Sequence, residues 1–438
     1  MVAVPSAGPP PSGTDAPVTE PIRTTDLPSG IRVVSEAMPE VRSVTIGCYV
    51  AVGGRDESDE LAGASHFLEH LLFKGTGTRS ALEIAESVDA RGGEMNAFTA
   101  KEHTAFYVRL PAEELGFATD LLADVVTDPA FRADEVESER QVILEELLLS
   151  EDEPDERAHT LCMEALFPDH PLGREVLGTE GSIAAMTRDQ IGSFHGEHYR
   201  AGNLVLVAAG QLDHDRFVDD VATRFAAAGS AGPGVRPART APTAAPLEHL
   251  ALSRPTEQTH LTLGWTAFGM DDLDRYPLAV LNHVLGSGMS SRLFQEIRER
   301  RGLAYSVYSY TSLYSDAGAL MVYAGTAPTR GDQVRGLIDA EIDRLRADAI
   351  SEREREVAIG YLTGSMVLGL EDSGSRMARL GSSVISRGEV TPIDTHLARL
   401  RAVGLDDVGR VIERVLDQPA TAAIVGPARR NRRRTPPG

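Results

Sequence analysis

The chain has 438 residues, of which 42% are hydrophobic and 25% are charged, and its formal net charge is -22. These values are typical of a globular protein, and no apolar run approaches the roughly 18 residues that span a bilayer. The acidic charge argues against nucleic acid as a partner and favours basic ligands. The length suits two domains of about 200 residues each.

Residues 1–23 predict a flexible N-terminal segment. The first 22 residues are rich in Pro, Ser and Gly, carry acids, and contain neither a hydrophobic signal core nor an arginine-rich amphipathic pattern. We therefore expect no secretion or import signal there, a cytoplasmic protein and no membrane partner. Cys48, in a predicted strand, and Cys162, in a predicted helix, provide no disulfide framework, and we expect two buried thiols.

The five residues from His66 to His70, HFLEH, contain the strongest chemical signal of the chain. A helix would place both histidines and Glu69 on one face. Apolar residues fill the adjoining turns, and charge within a hydrophobic segment needs a partner such as a metal ion. The order H-x-x-E-H is typical of inverted zincins, in which the histidines bind zinc and the glutamate moves a proton of water. For the motif alone, a solvated helix face with a surface ion pair is the alternative.

Two further segments of the first half bear on this site. Residues 91–108 predict a turn followed by two strands of apolar–polar alternation. Residues 132–149 predict a long amphipathic helix, which could provide the third protein ligand that a zinc site needs. Glu139 and Glu146 are seven positions apart on one face of that helix. One of them could bind the metal while the other supports it.

Composition divides the chain into two domains. Residues 229–246 are rich in Gly, Ala, Pro and Thr, which predicts a linker between a first domain at 24–228 and a second at 247–428. The arginines of residues 429–438 predict a basic, solvated tail. Each half combines hairpin strands with helices, which predicts an α+β layer, a mostly antiparallel sheet covered by helices.

Two pairs of similar segments indicate an internal duplication. Residues 45–50 resemble residues 262–267 near the start of each half, and residues 204–210 resemble residues 421–426 near its end. The second half has His283 at the place of the zinc-motif helix, but no second histidine or glutamate in zinc spacing. Only the first half is therefore expected to bind metal.

Residues 285–307 are the third segment of interest. They predict a Gly/Ser loop, a helix that ends near Gly302 and a strand that begins near Tyr305. The loop lacks the lysine and the spacing of a nucleotide site. Taken alone, Arg298 is typical of a solvent-facing helix residue and Tyr305 of a half-buried strand residue.

With these motifs the chain resembles the pitrilysin (insulinase) family of zinc peptidases, and within it the group that contains the beta subunit of mitochondrial processing peptidase and its bacterial relatives. The resemblance extends from about Thr25 to Gly426. It implies a clamshell of two homologous halves related by pseudo-symmetry, with one zinc ion per chain.

The resemblance also implies roles for the charged residues. The family's third ligand follows the second histidine at the spacing of Glu146 from His70, 76 positions, which selects Glu146 over Glu145. Glu69 would be the general base, and Glu139 matches an acid that supports the site without binding the metal. The implied zinc ligands are His66, His70 and Glu146.

Substrate contacts follow from the same resemblance. The implied substrate-binding sheet edge consists of Asn96, Ala97, Phe98 and Thr99. A peptide would add there as an extra strand, and Arg298 with Tyr305 would reach its carbonyl from the second half. Phe73 would contact a bulky apolar residue after the cut, and Glu156 a basic residue before it. Thr160 replaces the family's second acid of that subsite, which predicts a broad preference for basic residues without a strict rule.

The sequence therefore predicts a zinc endopeptidase that hydrolyses unfolded, basic peptides. A catalytically weak or scaffold subunit of a processing-peptidase-like complex is the alternative, and a small-molecule binder or a metal store is a further one. Because the zinc motif and the Arg/Tyr pair occur in one half-size chain, a homodimer is the simplest assembly. A heterodimer with a related subunit is also possible.

Overall fold

The computed structural model describes residues 22–229 and 238–427, which form two halves, each built on one sheet. The predicted basic tail and most of the predicted N-terminal segment lie outside the described residues, as do residues 230–237 of the predicted linker. Within the described part of the chain, no helix combines the length and the apolar character that crossing a bilayer requires.

The strands of the first half are β1 (Ile22–Asp26), β2 (Arg32–Ala37), β3 (Ser43–Val50), β4 (Glu94–Thr99), β5 (Thr104–Pro111) and β6 (Leu204–Gly210). Those of the second half are β7 (His249–Ser253), β8 (Thr259–Ala267), β9 (Ala304–Leu313), β10 (Gly318–Thr326) and β11 (Thr421–Gly426).

The helices of the first half are α1 (Ala64–Leu71), α2 (Ala81–Asp89), α3 (Leu115–Thr127), α4 (Ala133–Asp152), α5 (Pro154–Leu166), α6 (Glu180–Ala185), α7 (Arg188–His198) and α8 (His214–Arg224). Those of the second half are α9 (Arg275–Asn282), α10 (Gly331–Asp348), α11 (Glu352–Gly369), α12 (Ser373–Arg387), α13 (Ile393–Arg401) and α14 (Leu405–Leu416). Two π-helical turns, His283–Ser287 and Phe294–Glu299, follow α9.

Both sheets have the same strand order once β1 is set aside. The first runs β1-β2-β6-β3-β5-β4 and the second β7-β11-β8-β10-β9. In each, the pair at one side is parallel (β2 with β6, β7 with β11) and the pairs that follow are antiparallel. The similar segments at residues 45–50 and 262–267 lie in the matching strands β3 and β8. The predicted α+β fold of two homologous halves is confirmed.

Each sheet is covered on one face by helices of its own half and on the other by a helix of the opposite half. On the first sheet, Met377 and Leu380 of α12 pack with Tyr49 of β3. On the second sheet, Cys162 of α5 packs with Met321 of β10. We call α5 and α12 the exchanged helices, because each packs on the sheet of the opposite half. Both bury apolar surface, and they therefore join the two halves into one packed unit.

Polar contacts also hold α12 against the first sheet. Glu36 of β2 is completely buried and forms ion pairs with Arg376 and Arg379 of that helix. The hydroxyl groups of Thr45 and Ser373 lie 2.9 Å apart at the same contact. Two helices therefore pack outside the half to which they belong in sequence, and the proposed domain boundaries stay a prediction.

A substitution at Gly381 of α12 tests how closely this helix packs on the first sheet. A Cβ atom at Gly381 would lie 2.1 Å from Cε2 of the buried Tyr49 ring, so Gly381→Ala would force the helix away from the sheet. Overpacking of this kind should lower the free energy of unfolding by about 1–3 kcal/mol. Urea unfolding monitored by circular dichroism measures the change.

Gly360→Ala in α11 is the matched control. A Cβ atom at Gly360 would meet no atom within 4 Å, and alanine favours the helix more than glycine. This variant should gain up to about 1 kcal/mol of unfolding free energy. Equal stability of Gly381→Ala and the parent protein would contradict the packing of α12 on the sheet.

Candidate metal centre

The loop before α1 fixes the start of the helix that carries both histidines. Gly63 has φ 91°, a left-handed conformation that favours glycine. The Glu57 carboxylate accepts hydrogen bonds from the backbone N–H groups of Gly63 and Ser65, each 2.7 Å long. These bonds satisfy donors at a helix N-terminus, where a carboxylate is also favoured by the helix dipole. Phe67 and Leu68 anchor the opposite side of the helix in the core.

Helix α4 provides the third donor. Val136 and Ile143 are buried in the core of the first half, and the helix packs against α1. Glu139 and Glu146 lie four positions before and three positions after Ile143, so the same face carries both acids toward α1. Glu145 lies on a different face and lines a separate cavity.

The donor atoms of His66, His70 and Glu146 meet in one place. Nε2 of His66 lies 3.6 Å and Nε2 of His70 lies 3.5 Å from Oε2 of Glu146. One ligand atom from each of the three residues falls within 4.8 Å of the other two. Oε2 of Glu146 is buried and has no hydrogen-bond partner. Such an orphaned atom beside two imidazole nitrogens fits a metal ion, and two nitrogens with one carboxylate oxygen are a common zinc donor set.

The protonation of the first histidine suits this role. Burial, and then the neighbouring charge of His70, lower the pKa of His66 to about 4. Its imidazole is therefore neutral near pH 7, which is the form that binds metal.

A support for the second histidine lies behind it. Oε2 of Glu139 is 3.1 Å from Nδ1 of His70, and Oε1 of Glu139 is 2.7 Å from Nζ of Lys74. Contacts of this kind orient a ligating imidazole and fix which nitrogen carries the proton. The sequence analysis missed Lys74, although its position four residues after His70 was a usable signal.

Glu69 lies outside the group of donor atoms and is held by the edge strand. Its Oε2 accepts a hydrogen bond of 2.6 Å from the hydroxyl of Thr99 in β4. Burial raises the pKa of Glu69, while the bond from Thr99 acts in the opposite direction. Sequence spacing alone could not reveal this bond, because it joins a helix to a strand 30 residues later.

Strand β4 is the edge of the first sheet, and among the described strands it pairs with β5 alone. Along it, Asn96 is exposed, Ala97 is buried and Phe98 is 37% exposed. The side of β4 that faces away from β5 thus offers backbone groups for an added strand. Thr99 lies on the same face as Ala97 and so reaches toward α1.

The structure does not bring Arg298 and Tyr305 to the donor cluster. Arg298 lies in the second π-helical turn, where its guanidinium stacks 4.8 Å from the centre of the Phe294 ring and 4.7 Å from that of Tyr305. Tyr305, in β9, is 76% exposed. Among the described residues, no hydrogen bond, ion pair or ring contact joins either side chain to the donor cluster.

The remaining predicted substrate residues lie apart from one another. Phe73 is half-buried, with its ring 6.0 Å from that of Phe106. Glu156 is exposed in the first turn of α5. Thr160, one turn later, donates a hydrogen bond of 2.8 Å to Oε2 of Glu175. The sequence analysis missed Glu175, which the fold returns to α5 from a loop 15 residues along the chain.

A cavity of about 1120 Å³ lies behind α4, and Thr160 and Glu175 are among the residues that line it. Leu144 and Leu148 line it, and helical geometry points them away from Glu146. In the second half, His283 stacks on Tyr361 with the ring centres 4.3 Å apart. Across residues 22–229 and 238–427, the donors described above are the one group of three side chains placed to hold a metal.

Comparison with protein-family profiles decides the family. Residues 32–180 match the insulinase (Peptidase family M16) profile, and residues 185–362 match the Peptidase M16 inactive domain profile. The chain belongs to the M16 peptidase family. The complete donor set of this M16 chain lies within the part that matches the insulinase profile.

Other M16 proteins resemble the chain over most of its length. An uncharacterized zinc protease of Streptomyces coelicolor is 44% identical over 413 residues, covering 93% of this chain and 90% of that protein. One of Mycobacterium tuberculosis is 45% identical over 415 residues, covering 92% and 93%. One of Bacillus subtilis is 38% identical over 403 residues, covering 91% and 97%.

Solved structures show the same fold. A protease from Helicobacter pylori has a TM-score of 0.87 at 21% identity, covering 93% of this chain and 100% of that one. A peptidase M16 inactive domain from Pseudomonas fluorescens has a TM-score of 0.86 at 22% identity, covering 93% and 98%.

Metal content tests the donor set without any activity assay. Glu146→Gln removes the carboxylate charge at the centre of the cluster, and we expect it to lose most of the zinc that the parent protein retains after dialysis. His66→Ala should behave in the same way. Glu145→Gln, which changes the adjacent residue of α4, is the control and should keep its zinc. Full zinc content in Glu146→Gln would assign the third ligand elsewhere.

Proposed function

We propose that the protein is a zinc-dependent endopeptidase that hydrolyses peptide bonds in unfolded peptides. One observation carries the proposal: two imidazoles and an orphaned carboxylate oxygen converge, with a second carboxylate, Glu69, held beside them. The names of the similar zinc proteases support it. A scaffold subunit would have no need of a complete donor set or of a positioned base.

His66, His70 and Glu146 would hold one zinc ion per chain. Bound there, zinc would act as a Lewis acid that lowers the pKa of water toward neutral pH and polarises a peptide carbonyl. Glu69 would accept the proton from the attacking water and return it to the leaving amine. The Thr99 hydroxyl, 2.6 Å from Oε2 of Glu69, holds the carboxylate in place for both transfers.

Substrate would bind as an extra strand on β4. An extended backbone can pair with the open edge at Asn96 to Thr99, whereas a folded protein has no free strand to offer. Because main-chain hydrogen bonds carry most of such binding, the enzyme would accept many sequences. Thr99 would link the two functions, since it belongs to the binding strand and contacts the base.

Side-chain preference would be basic before the cut and apolar after it. The protein's net charge of -22 attracts basic peptides, and Glu156 is exposed to receive them. Glu175 places a second carboxylate beside Thr160, where the sequence alone indicated a missing acid. The half-buried ring of Phe73 would favour a bulky apolar residue on the other side.

A second copy of the chain would complete the site. Arg298 and Tyr305 stabilise an oxyanion only if they reach the substrate carbonyl. Closure within one chain would have to unpack the exchanged helices α5 and α12. The exposed Tyr305 is instead free to face the zinc cluster of a partner in a homodimer.

Glu69→Gln tests the role of the base. The amide keeps the shape of the side chain but cannot accept a proton, so hydrolysis of an unfolded protein substrate should fall by about 100-fold or more. Zinc content, measured by elemental analysis, should stay at the parent level. Glu86→Gln, an exposed carboxylate of α2, is the control and should cleave normally. A parent rate in Glu69→Gln would remove this residue from the mechanism.

Mixing two inactive variants tests the homodimer. Glu69→Gln lacks the base and Tyr305→Phe lacks the proposed oxyanion donor, so each alone should be slow. If each site combines two chains, subunit exchange yields mixed dimers with one intact site, and activity should recover to about a quarter of the parent value. Absence of recovery, with exchange verified by differently tagged chains, would place all the catalytic groups in one chain or in a different partner.

A further inference from the structure

The turn that ends the substrate edge strand is in contact with the matching turn of the second half. Residues 100–103 connect β4 to β5, and residues 314–317 connect β9 to β10. In each turn the first residue donates a backbone hydrogen bond of 2.8 Å to the carbonyl of the fourth. The two turns are therefore equivalent parts of the duplicated fold, and they meet at the junction of the halves.

Four side chains join the turns, and we name them the inter-turn cluster. They are Arg55, Glu102, Ser315 and Asp316. The Glu102 carboxylate accepts hydrogen bonds from the backbone N–H of Ser315 at 2.9 Å and from its hydroxyl at 2.7 Å. Arg55 donates to Glu102 at 2.6 Å and lies 2.7 Å from Asp316. The side chain of Arg55 is 2% exposed, and that of Glu102 is 8% exposed.

The turn is held from its backbone as well. The N–H of Gly54 donates to the carbonyl of Ala100 at 3.1 Å, and the N–H of Arg55 donates to that of Lys101 at 2.7 Å. Arg239, from the segment that joins the halves, donates to the carbonyl of Glu102 at 2.7 Å. The turn 100–103 is therefore fixed by the first half, the second half and the connecting segment together.

We propose that Glu102 is a positioning residue for the peptidase reaction. Thr99, the last residue of β4, directly precedes this turn, and its hydroxyl holds Glu69. A shift of the turn would therefore move Thr99 at the end of β4 and disturb its hydrogen bond to the base. The proposal rests on the proposed peptidase function and adds to it a contribution of the second half within the same chain.

The buried charges of the inter-turn cluster make the position of the turn sensitive to the loss of a single charged group. A buried carboxylate and a buried guanidinium each carry a large desolvation cost, so each depends on its charged partners. With Glu102 neutral, Arg55 would keep Asp316, and Ser315 would lose its charged acceptor. The turn would then be held less firmly to the second half, because the contact through Arg55 and Asp316 would remain without the charged contact of Glu102. A small displacement of a catalytic group lowers the rate, because the reacting atoms must be held in a productive geometry.

A double-mutant cycle tests the proposal on the full chain with bound zinc. Thr99→Val removes the hydroxyl bond to Glu69 and keeps the branched shape, and it should lower kcat about tenfold. Glu102→Gln should lower kcat several-fold with little change of KM or zinc content. If Glu102 acts through Thr99, the double variant should be no slower than Thr99→Val alone. Effects on kcat that multiply would overturn the proposal, as would an unchanged kcat in Glu102→Gln.

Glu36→Gln is the matched control, because Glu36 is also a buried carboxylate that joins the halves through arginines, yet it contacts α12 and not the turn. It should lower thermal stability without lowering kcat of the folded protein. A kcat loss equal to that of Glu102→Gln would reduce the cluster to a general fold contact and overturn the proposal.

Ser315→Ala keeps the test decisive if Glu102→Gln does not fold. It removes the hydroxyl donor on the second half and leaves every charge in place, so it should give a smaller kcat loss that also disappears in the Thr99→Val background. A loss of kcat that persists in the Thr99→Val background contradicts the proposal. An inactive, zinc-free parent protein would instead refute the proposed function itself, so the two failures are distinguishable.

Discussion

The packing of α4 against α1 is the constraint on which the candidate site depends. It places Oε2 of Glu146 within 3.6 Å of two imidazole nitrogens while burying it away from any other partner. An unpaired buried carboxylate oxygen is costly, and a cation between the donors would compensate that cost. The apolar residues of α1 and Ile143 of α4 supply the burial that keeps the donors together. Core packing and metal chemistry are thus parts of one arrangement.

The packing of α5 and α12 on the opposite halves joins the two halves of the duplicated chain into one packed unit. Each helix carries an apolar face that its own half does not cover, and the opposite sheet provides the cover. The inter-turn cluster adds a polar contact at the same junction. As a consequence the open edge β4 has a fixed position relative to the second half. An enzyme that binds peptides by strand addition gains from such rigidity, because the pairing edge does not need to be ordered on binding.

Catalysis by this chain would then require groups from separate parts of the fold. Glu69 comes from a helix, Thr99 from an edge strand, and Glu146 from a second helix about two turns beyond Glu139. Arg298 and Tyr305 lie on the second half, with the guanidinium of Arg298 over the ring of Tyr305. The chain presents the metal cluster and the stacked pair at different places, which is why the proposed function includes a partner chain.

The sequence by itself determined the α+β class, the duplication and the family, since these depend on local periodicity and on motifs such as His66 to His70 that are continuous in the chain. It also indicated Glu139 and Glu146, because a helical repeat of seven is readable from spacing. Only the tertiary structure decided that Thr99 holds Glu69, that Glu175 stands beside Thr160, and that α5 and α12 pack on the opposite halves. Each of these contacts joins segments that are distant in the chain or separated by a turn. Which segments meet depends on which surfaces remain uncovered after the sheets form. No local sequence pattern records that property.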